Sequence, residues 1–420
     1  MKKPLTISII ILITLVIGFT LWTIFSRDSN TTVGEAVRNV LPFGSGGDVN
    51  IPIQNNNNEL DSSKFFDAKG VPTEKLFTLS RTPIAGYVVF NKDGDNVVRY
   101  IDRATGHIYD SILPKNLGTD PVETKKITNN TIPKIYEAYF NPNGSKVLIR
   151  SLIENTDAVE NISLSLTPPK TTASTSTSES DSLYSISSTN IRGNISSVAV
   201  VGNSLLSLVK DSSSIISSSF DGSNQKTILN TPFTDWKIIS NRNNVLLQTK
   251  AGANIPGYVY SLNIVTGSIT KIINPLNGLT ALINYNGSRI LYSYVDGNQT
   301  RILVQNNNKE IISEPTPATL AEKCVWSSIN IDTVYCSSPN NPKLDFNEPD
   351  NWYKGITHFS DSIWVFDTKK QTQRVLLEPK LAYDIDIDAI NLQLSPDEEY
   401  LIFTNKTDLT LWALKIETQI

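Results

Sequence analysis

The chain is poor in the residues that most catalytic and metal sites need. Among 420 residues there are two histidines, two cysteines and one methionine. No His-Glu-x-x-His, Cys-x-x-Cys or phosphate-loop pattern occurs, so the usual zinc, dithiol and nucleotide motifs are missing. Gly-x-Ser-x-Gly, the turn that presents a hydrolase serine, is absent as well. His107 follows a glycine in a turn and His358 falls in a long insertion. Each reads as a structural or surface residue before a catalytic one. Charged residues make up 19% of the chain, with 37 basic against 41 acidic and a pI near 5.4. That balance leaves no basic surface for nucleic acid. Any enzymatic chemistry would have to run on carboxylates.

What the chain has is a repeated hairpin. Leu392 and Leu394 alternate with polar neighbours, Ser395-Pro396-Asp397 is turn chemistry, and Tyr400–Phe403 is a short apolar run. The pattern returns around Asn141-Pro142-Asn143-Gly144-Ser145 and Asn284-Tyr285-Asn286-Gly287-Ser288. Weaker copies surround Asp93, Asn203, Asn243 and Asn330. From Asp93 to Asp397 the successive spacings are 50, 60, 40, 44, 43 and 67 residues. Four-stranded propeller blades repeat at about 40–50 residues, and a helical solenoid would show a 3.6-residue period instead. The expected fold is an all-β propeller of seven blades, six or eight remaining open, over residues 76–420.

The two long spacings each hold an insertion. Residues 167–182 are rich in Ser and Thr and read as a solvated loop. Residues 338–361 carry Phe346, Trp352, Tyr353, His358 and Phe359 among Asp345, Glu348 and Asp350. A propeller must close, because open sheet edges invite strand addition. Either the last strand or one donated from about Leu76 to Ser80 can complete the ring.

Ahead of the repeats, Leu5–Phe25 is an uncharged run of 21 residues. It is long enough to cross a hydrocarbon core of about 30 Å. Leu21-Trp22-Thr23-Ile24-Phe25 is bulky, unlike the small residues of a signal-peptidase site. The run reads as an uncleaved single-pass anchor. Lys2 and Lys3 place residues 1–4 in the cytoplasm and the remainder outside the cell membrane. Residues 26–75, with Gly44-Ser45-Gly46-Gly47 and Asn55–Asn58, read as a flexible tether.

Two features are candidates for binding. Asp384, Asp386 and Asp388 alternate with Ile385 and Ile387, so in a strand the three carboxylates would share one face. They could hold Ca²⁺ or a cationic partner, or simply form a charged edge that deters strand pairing. The second feature is the aromatic insertion. In a four-stranded blade the loop between strands two and three shares a face with the loop entering strand one. That rule places Trp352, Tyr353, His358, the three aspartates, Trp236 and the loop Asn254–Gly257 on one face of the propeller. Aromatic rings beside carboxylates suit a peptide or glycan. The alternative is that the insertion folds down and buries its rings as a lid on blade six.

Cys324 and Cys336 each lie six residues from Asn330, the centre of a proposed turn. A symmetric hairpin register therefore sets them opposite each other, within reach of a disulfide. The compartment inferred from the anchor is oxidising.

The turns at Ser395–Asp397 and Asn141–Lys146, and the strand Ile363–Asp367 with its charged turn, resemble TolB-like and WD-repeat propellers of bacteria. The resemblance spans roughly residues 76–420 and departs from the pattern in lacking any Trp-Asp dipeptide. Lys323-Cys324-Val325-Trp326-Ser327, Val334-Tyr335-Cys336 and Asn351–Gly355 are similar to segments of membrane-anchored propellers of small-genome bacteria. The resemblance implies an architecture and no particular activity. The reading is a membrane-tethered, extracytoplasmic, non-enzymatic module that binds or scaffolds an envelope protein, peptide or glycan, with no cofactor or metal. The alternative is a cell-envelope hydrolase using carboxylates in the propeller channel.

Overall fold

The computed structural model describes residues 64–153, 159–169, 183–191, 193–297, 299–340 and 348–417. The expected anchor, the tether up to residue 63 and residues 170–182 and 341–347 of the two insertions lie outside the described residues. Among the described residues no helix is long and apolar enough to cross a membrane.

Seven four-stranded antiparallel sheets are present among these residues. Blade one holds β2 (Ile84–Lys92), β3 (Asp95–Asp102), β4 (Ile108–Ile112) and β5 (Glu123–Lys126). Blade two holds β6 (Ile135–Phe140), β7 (Lys146–Leu152), β8 (Val159–Thr167) and β9 (Ser185–Ile191). Blade three is β10 (Ile195–Val201), β11 (Ser204–Val209), β12 (Ser214–Ser219) and β13 (Lys226–Asn230). Blade four is β14 (Trp236–Asn241), β15 (Asn244–Thr249), β16 (Pro256–Leu262) and β17 (Ile269–Asn277). Blade five is β18 (Thr280–Ile283), β19 (Arg289–Asp296), β20 (Gln299–Asn306) and β21 (Ile311–Ser313). Blade six is β22 (Cys324–Trp326), β23 (Thr333–Pro339), β24 (Asp361–Asp367) and β25 (Thr372–Leu377). Blade seven combines β26 (Ala389–Leu394), β27 (Tyr400–Asn405) and β28 (Leu411–Lys415) with β1 (Leu76–Ser80). Each of the seven turns read from the sequence joins the first and second strands of a blade. The first strands neighbour one another in a closed circuit, β2–β6–β10–β14–β18–β22–β26 and back to β2. The count is therefore seven, neither six nor eight.

The apolar alternation explains the packing. Blade sheets bury both faces against their neighbours, and β27 is buried along its whole length. The core is consequently a ring of interblade layers. One apolar cluster joins blades one and two through Ile101, Ile108, Val147 and Ile149, and another joins three and four through Leu208, Ile215, Trp236 and Leu247. The largest cluster runs from blade six through seven to one.

The first–second turns form a second ring of polar clasps. Asn96 Nδ2 donates to Asp397 at 2.5 Å. Glu398 accepts from Ser327 Oγ at 2.7 Å and from the N–H groups of Ser328 and Ile329 at 2.6 and 3.1 Å. Asn244 Nδ2 donates to Tyr285 O at 2.9 Å, and Arg99 donates to Gly144 O at 2.8 Å. Asn and Asp fit here because short side chains tolerate turn backbones and reach neighbouring ones.

Closure comes from the donated strand. β1 runs antiparallel to β28, with Leu76 opposite Leu414 and Phe77 opposite Ala413. Leu76 and Phe77 are fully buried, which contributes about 1.5–3 kcal/mol for each side chain. Residues 64–75 are not part of a free tether. Phe65 is 1% exposed, edge-on to Trp412 and Tyr383 with centroids 5.7 and 5.4 Å away. An aromatic of that size finds more stabilisation against blade seven than in water.

Candidate functional site

Antiparallel blades put the second–third and fourth–first connections on one side, the upper face. The blade-six connection after β23 carries helix α1 (Asp350–Tyr353). It leaves blade six and passes over blade five to blade four. Two glycines permit this course. A Cβ at Gly278 would meet Pro349 at 3.1 Å, and one at Gly252 would stand 2.9 Å from both Asp350 carboxylate oxygens. The Ala253 N–H then donates to Asp350 Oδ2 at 3.2 Å.

The insertion is fastened by a buried charge cluster that the residue pattern alone did not suggest. Lys323 sits in a single 3₁₀ turn, Ala321–Lys323, at the entrance to β22 and is 0% exposed. Its ammonium lies 2.8 Å from Asp361 Oδ2 and also pairs with Asp388 Oδ1. Asp388 Oδ2 accepts the Trp352 indole N–H at 2.8 Å and the Phe359 N–H at 3.1 Å. The Trp352 and Phe359 rings stack 5.9 Å apart, 10° from parallel, and Lys323 Nζ stands 5.2 Å from each centroid. A second cation, Lys406, lies 5.0 Å from the Trp352 ring, and burial lowers its pKa.

Asp361 accepts the Ala389 N–H at 2.8 Å through Oδ2, while its Oδ1 has no partner among the described residues. Burial, opposed by Lys323 and reinforced by Asp388, raises its pKa to about 6. Two carboxylates around one ammonium in a dry site are one negative charge too many. Nothing in the local sequence marks Lys323 or Asp361 for this role, since their partners lie tens of residues away.

Several expectations drawn from the sequence need correction. The three aspartates do not share a strand face. Helix α2 (Pro379–Tyr383) ends at Asp384, which takes a left-handed conformation at φ 55°. Asp384 and Asp386 are exposed and both pair with Lys380, at 2.9 and 3.0 Å. That lysine holds the Asp384 carboxyl below the usual range, and Ser360 and the same lysine do so for Asp386. Asp388 alone turns inward. Among the described residues no group of His, Cys, Asp or Glu is arranged to hold a metal ion. Trp236 is not an exposed anchor. It is 3% exposed, donates to Thr231 Oγ1 at 2.9 Å and packs edge-on against Phe233 and Tyr260. Trp352 follows the lid alternative and is 4% exposed. Tyr353 is 45% exposed, with its hydroxyl on Glu322. His358 is exposed on the same connection. Phe346 and Asp345 lie outside the described residues.

The shared face survives these corrections. Between the start of β10, the start of β14, the end of β15 and α1 lies a cleft of about 530 Å³. Trp236, Lys237, Gln248, Lys250, Asp350 and Tyr353 line it. A second cavity of about 400 Å³ lies toward the ring axis, where Glu322, Trp352, Tyr353 and Lys406 meet the first strands. The carboxylates around the axis are engaged. Glu137 holds Arg150 and accepts the Tyr139 hydroxyl at 2.6 Å, and Glu322 holds Lys237 as well as Tyr353.

Cys324 and Cys336 are directly opposed in the β22–β23 register, with their sulfurs at bonding distance, 2.12 Å. The pair sits at the root of the connection that bears α1.

No protein-family model matches the chain, and no curated protein matches it. Solved propellers do. The propeller domain of the Trilobed protease from Pyrococcus furiosus is 12% identical, with coverage of 80% of this chain and 96% of that one and a TM-score of 0.44. The Cps50 (Swd1) propeller domain of Myceliophteria thermophila is 11% identical over 81% and 100%, with a TM-score of 0.48. The PQQ domain of pyranose dehydrogenase from Coprinopsis cinerea is 12% identical over 81% and 95%, with a TM-score of 0.42. These likenesses concern the fold alone.

Proposed function

We propose that the chain is a binding module whose upper face, bridged by the blade-six connection, holds a ligand or partner. The observation that carries this reading is the cleft beside α1. It is concave, of ligand-binding size, and lined by a half-exposed tyrosine, the edge of Trp236 and polar side chains. Rigid strand ends and a fastened connection supply this lining. A preformed site of that kind loses little entropy on binding. The hydrolase alternative has less support. Asp361 and Asp388 are fully buried around Lys323, and the axial carboxylates are tied to cations or hydroxyls.

The run Leu5–Phe25 supports tethering at the outer side of a cell membrane. The turn motifs support a place among TolB-like bacterial propellers. A partner in the envelope, protein, peptide or glycan, follows from that location.

The test is crosslinking in intact cells with the full anchored chain, followed by recovery of partners. Tyr353→Ala and Asp384→Ala, two exposed changes on the upper face, should reduce recovery while thermal stability holds. Unchanged recovery from a folded double variant rejects the upper face as the binding surface. An alkaline phosphatase fusion after Ile420 should be active, since that reporter needs an oxidising compartment. An inactive fusion reverses the topology.

A further inference from the structure

We infer that the outer strand of blade two, β9, is an open docking edge and that it pairs with the same strand of a second copy of this chain. This edge lies on the rim of the propeller, apart from the upper-face cleft. A sheet edge presents unpaired N–H and C=O groups, and proteins guard such edges with charge, proline, bulges, short strands or a cover. The other outer strands all carry such guards. β5 has four residues, of which Glu123, Lys125 and Lys126 are charged. β13 carries Lys226 and a register shift against β12. β17 carries Lys271, Pro275 and two register shifts. β21 has three residues and is shifted, and β25 carries Arg374 and a shift. β1 is shifted between Thr78 and Ser80, and Phe66 packs on its Phe77 with centroids 6.0 Å apart.

β9 has none of these. Its seven residues, Ser185-Ile186-Ser187-Ser188-Thr189-Asn190-Ile191, include no charge and no proline. All seven hold one unbroken register with β8, from Ser185 opposite Thr167 to Ile191 opposite Asn161. Ser185 and Ser187–Asn190 are exposed. Among the described residues no strand pairs with the outer side of β9.

Ladder parity decides which groups are free. The Leu166 N–H donates to Ser145 O, on the β7 side, at 2.8 Å. In an antiparallel sheet alternate residues bond to opposite neighbours. Leu164 and Leu166 of β8 therefore face β7, while Asn161, Ser163, Ser165 and Thr167 face β9. Opposite these four stand Ile191, Thr189, Ser187 and Ser185. The N–H and C=O groups of Ile186, Ser188 and Asn190 consequently point away from the blade. Tyr184, the next residue of that series, already donates its N–H to Ile127 O at 2.8 Å. The free set is thus short and centred on Ser188.

That symmetry selects the partner. A two-fold axis at Ser188 sets this residue opposite its own copy and Ile186 opposite Asn190 of the second chain. Each of the three residues then exchanges both of its bonds, and none of their outward groups is left over on either chain. Two-fold pairing also brings side chains near their own counterparts, where a charge would repel itself. β9 has no charge to be repelled, and a charged peptide would find no counter-charge on it.

The experiment is oxidative crosslinking of the full chain in intact cells. Cys324 and Cys336 are at bonding distance from each other, so one added cysteine reports alone. Facing Cα atoms in a bonded antiparallel pair are about 5.5 Å apart, within disulfide reach. Ser188→Cys is expected to give at least tenfold more disulfide-linked dimer than Ser187→Cys, which would face Thr189, and than Thr227→Cys on the guarded edge of β13. Energy transfer between donor-labelled and acceptor-labelled copies should be lost in Ser188→Lys, an exposed change that leaves the melting temperature in place, and kept in Ser188→Thr. A dimer yield at Ser188 no higher than at Thr227, or energy transfer indifferent to Ser188→Lys, overturns the inference. Linkage of Ser188→Cys to other polypeptides without self-linkage also overturns it, since the occupant is then a strand of another protein.

Discussion

The Trp352 indole donates to the Asp388 carboxylate across 2.8 Å and, with the Phe359 N–H on the same oxygen, joins the long connection of blade six to the entrance of blade seven. Asp388 also holds the buried Lys323 ammonium. The shape of the upper face therefore depends on a charge that has no contact with water.

Removing Asp388 should be costly. Asp388→Ala leaves the Lys323 ammonium paired with Asp361 and takes the acceptor from both the Trp352 and Phe359 N–H groups. Each buried donor left without a partner costs about 1–3 kcal/mol. Trp352→Phe keeps an aromatic ring and loses the hydrogen bond, at about 1–3 kcal/mol. Urea midpoints of the two variants check both the order and the size. Equal midpoints would show that the cluster does not fasten the connection.

Asp361 gives a pH dependence of its own. Its folded pKa is about 6, above an unfolded value of about 3.9. The folded chain therefore binds this proton more tightly than the unfolded chain. The contribution of Asp361 is most favourable below about pH 4 and is lost as pH rises through about 6. Asp361→Asn stays neutral throughout. Its stability relative to the parent should improve between about pH 4 and pH 8, by an amount on the order of 3 kcal/mol. A difference that is flat with pH, followed by denaturant midpoints, would contradict the raised pKa.

The opposed cysteines predict no free thiol. Denatured, unreduced protein prepared from an oxidising compartment should titrate zero thiols, and two would exclude the bond. Cys324→Ser/Cys336→Ser should lower stability by about 3 kcal/mol, the chain-entropy value for a short loop.

Closure by the donated strand makes Phe77 decisive. Phe77→Ala empties a fully buried site, 6.1 Å from the Tyr400 ring centroid. Loss of about 3–5 kcal/mol is expected. Amide exchange should rise in β28 and β1 before it rises in blades three to five. Uniform exchange around the ring would mean that the seal is not the weakest interface.

Much of this was legible in the sequence because it is local. A hairpin turn needs Asn, Asp, Gly or Pro within a few residues, and strand alternation has a fixed period of two. Those signals located the seven first–second turns, the blade count and the Cys324–Cys336 register. Connection order alone placed the insertion, Trp236 and the Asp384–Asp388 segment on one face. The nature of the contacts was not local. Asp384–Asp388 reads as a strand, yet α2 ends at Asp384 and Lys380 draws two of the three carboxylates back to the helix. Asp388 faces inward because the Lys323 ammonium, 65 residues earlier, and the Trp352 and Phe359 N–H groups converge on its carboxylate. Trp236 and Trp352 look alike as exposed candidates. Only packing against Phe233 and Tyr260, or against Phe359 and two lysines, decides that both are interior. The number of blades and the positions of their turns follow from chemistry a few residues long. Which strand seals the ring, and which charges are buried, depended on the folded arrangement, because burial is settled by neighbours distant in the chain.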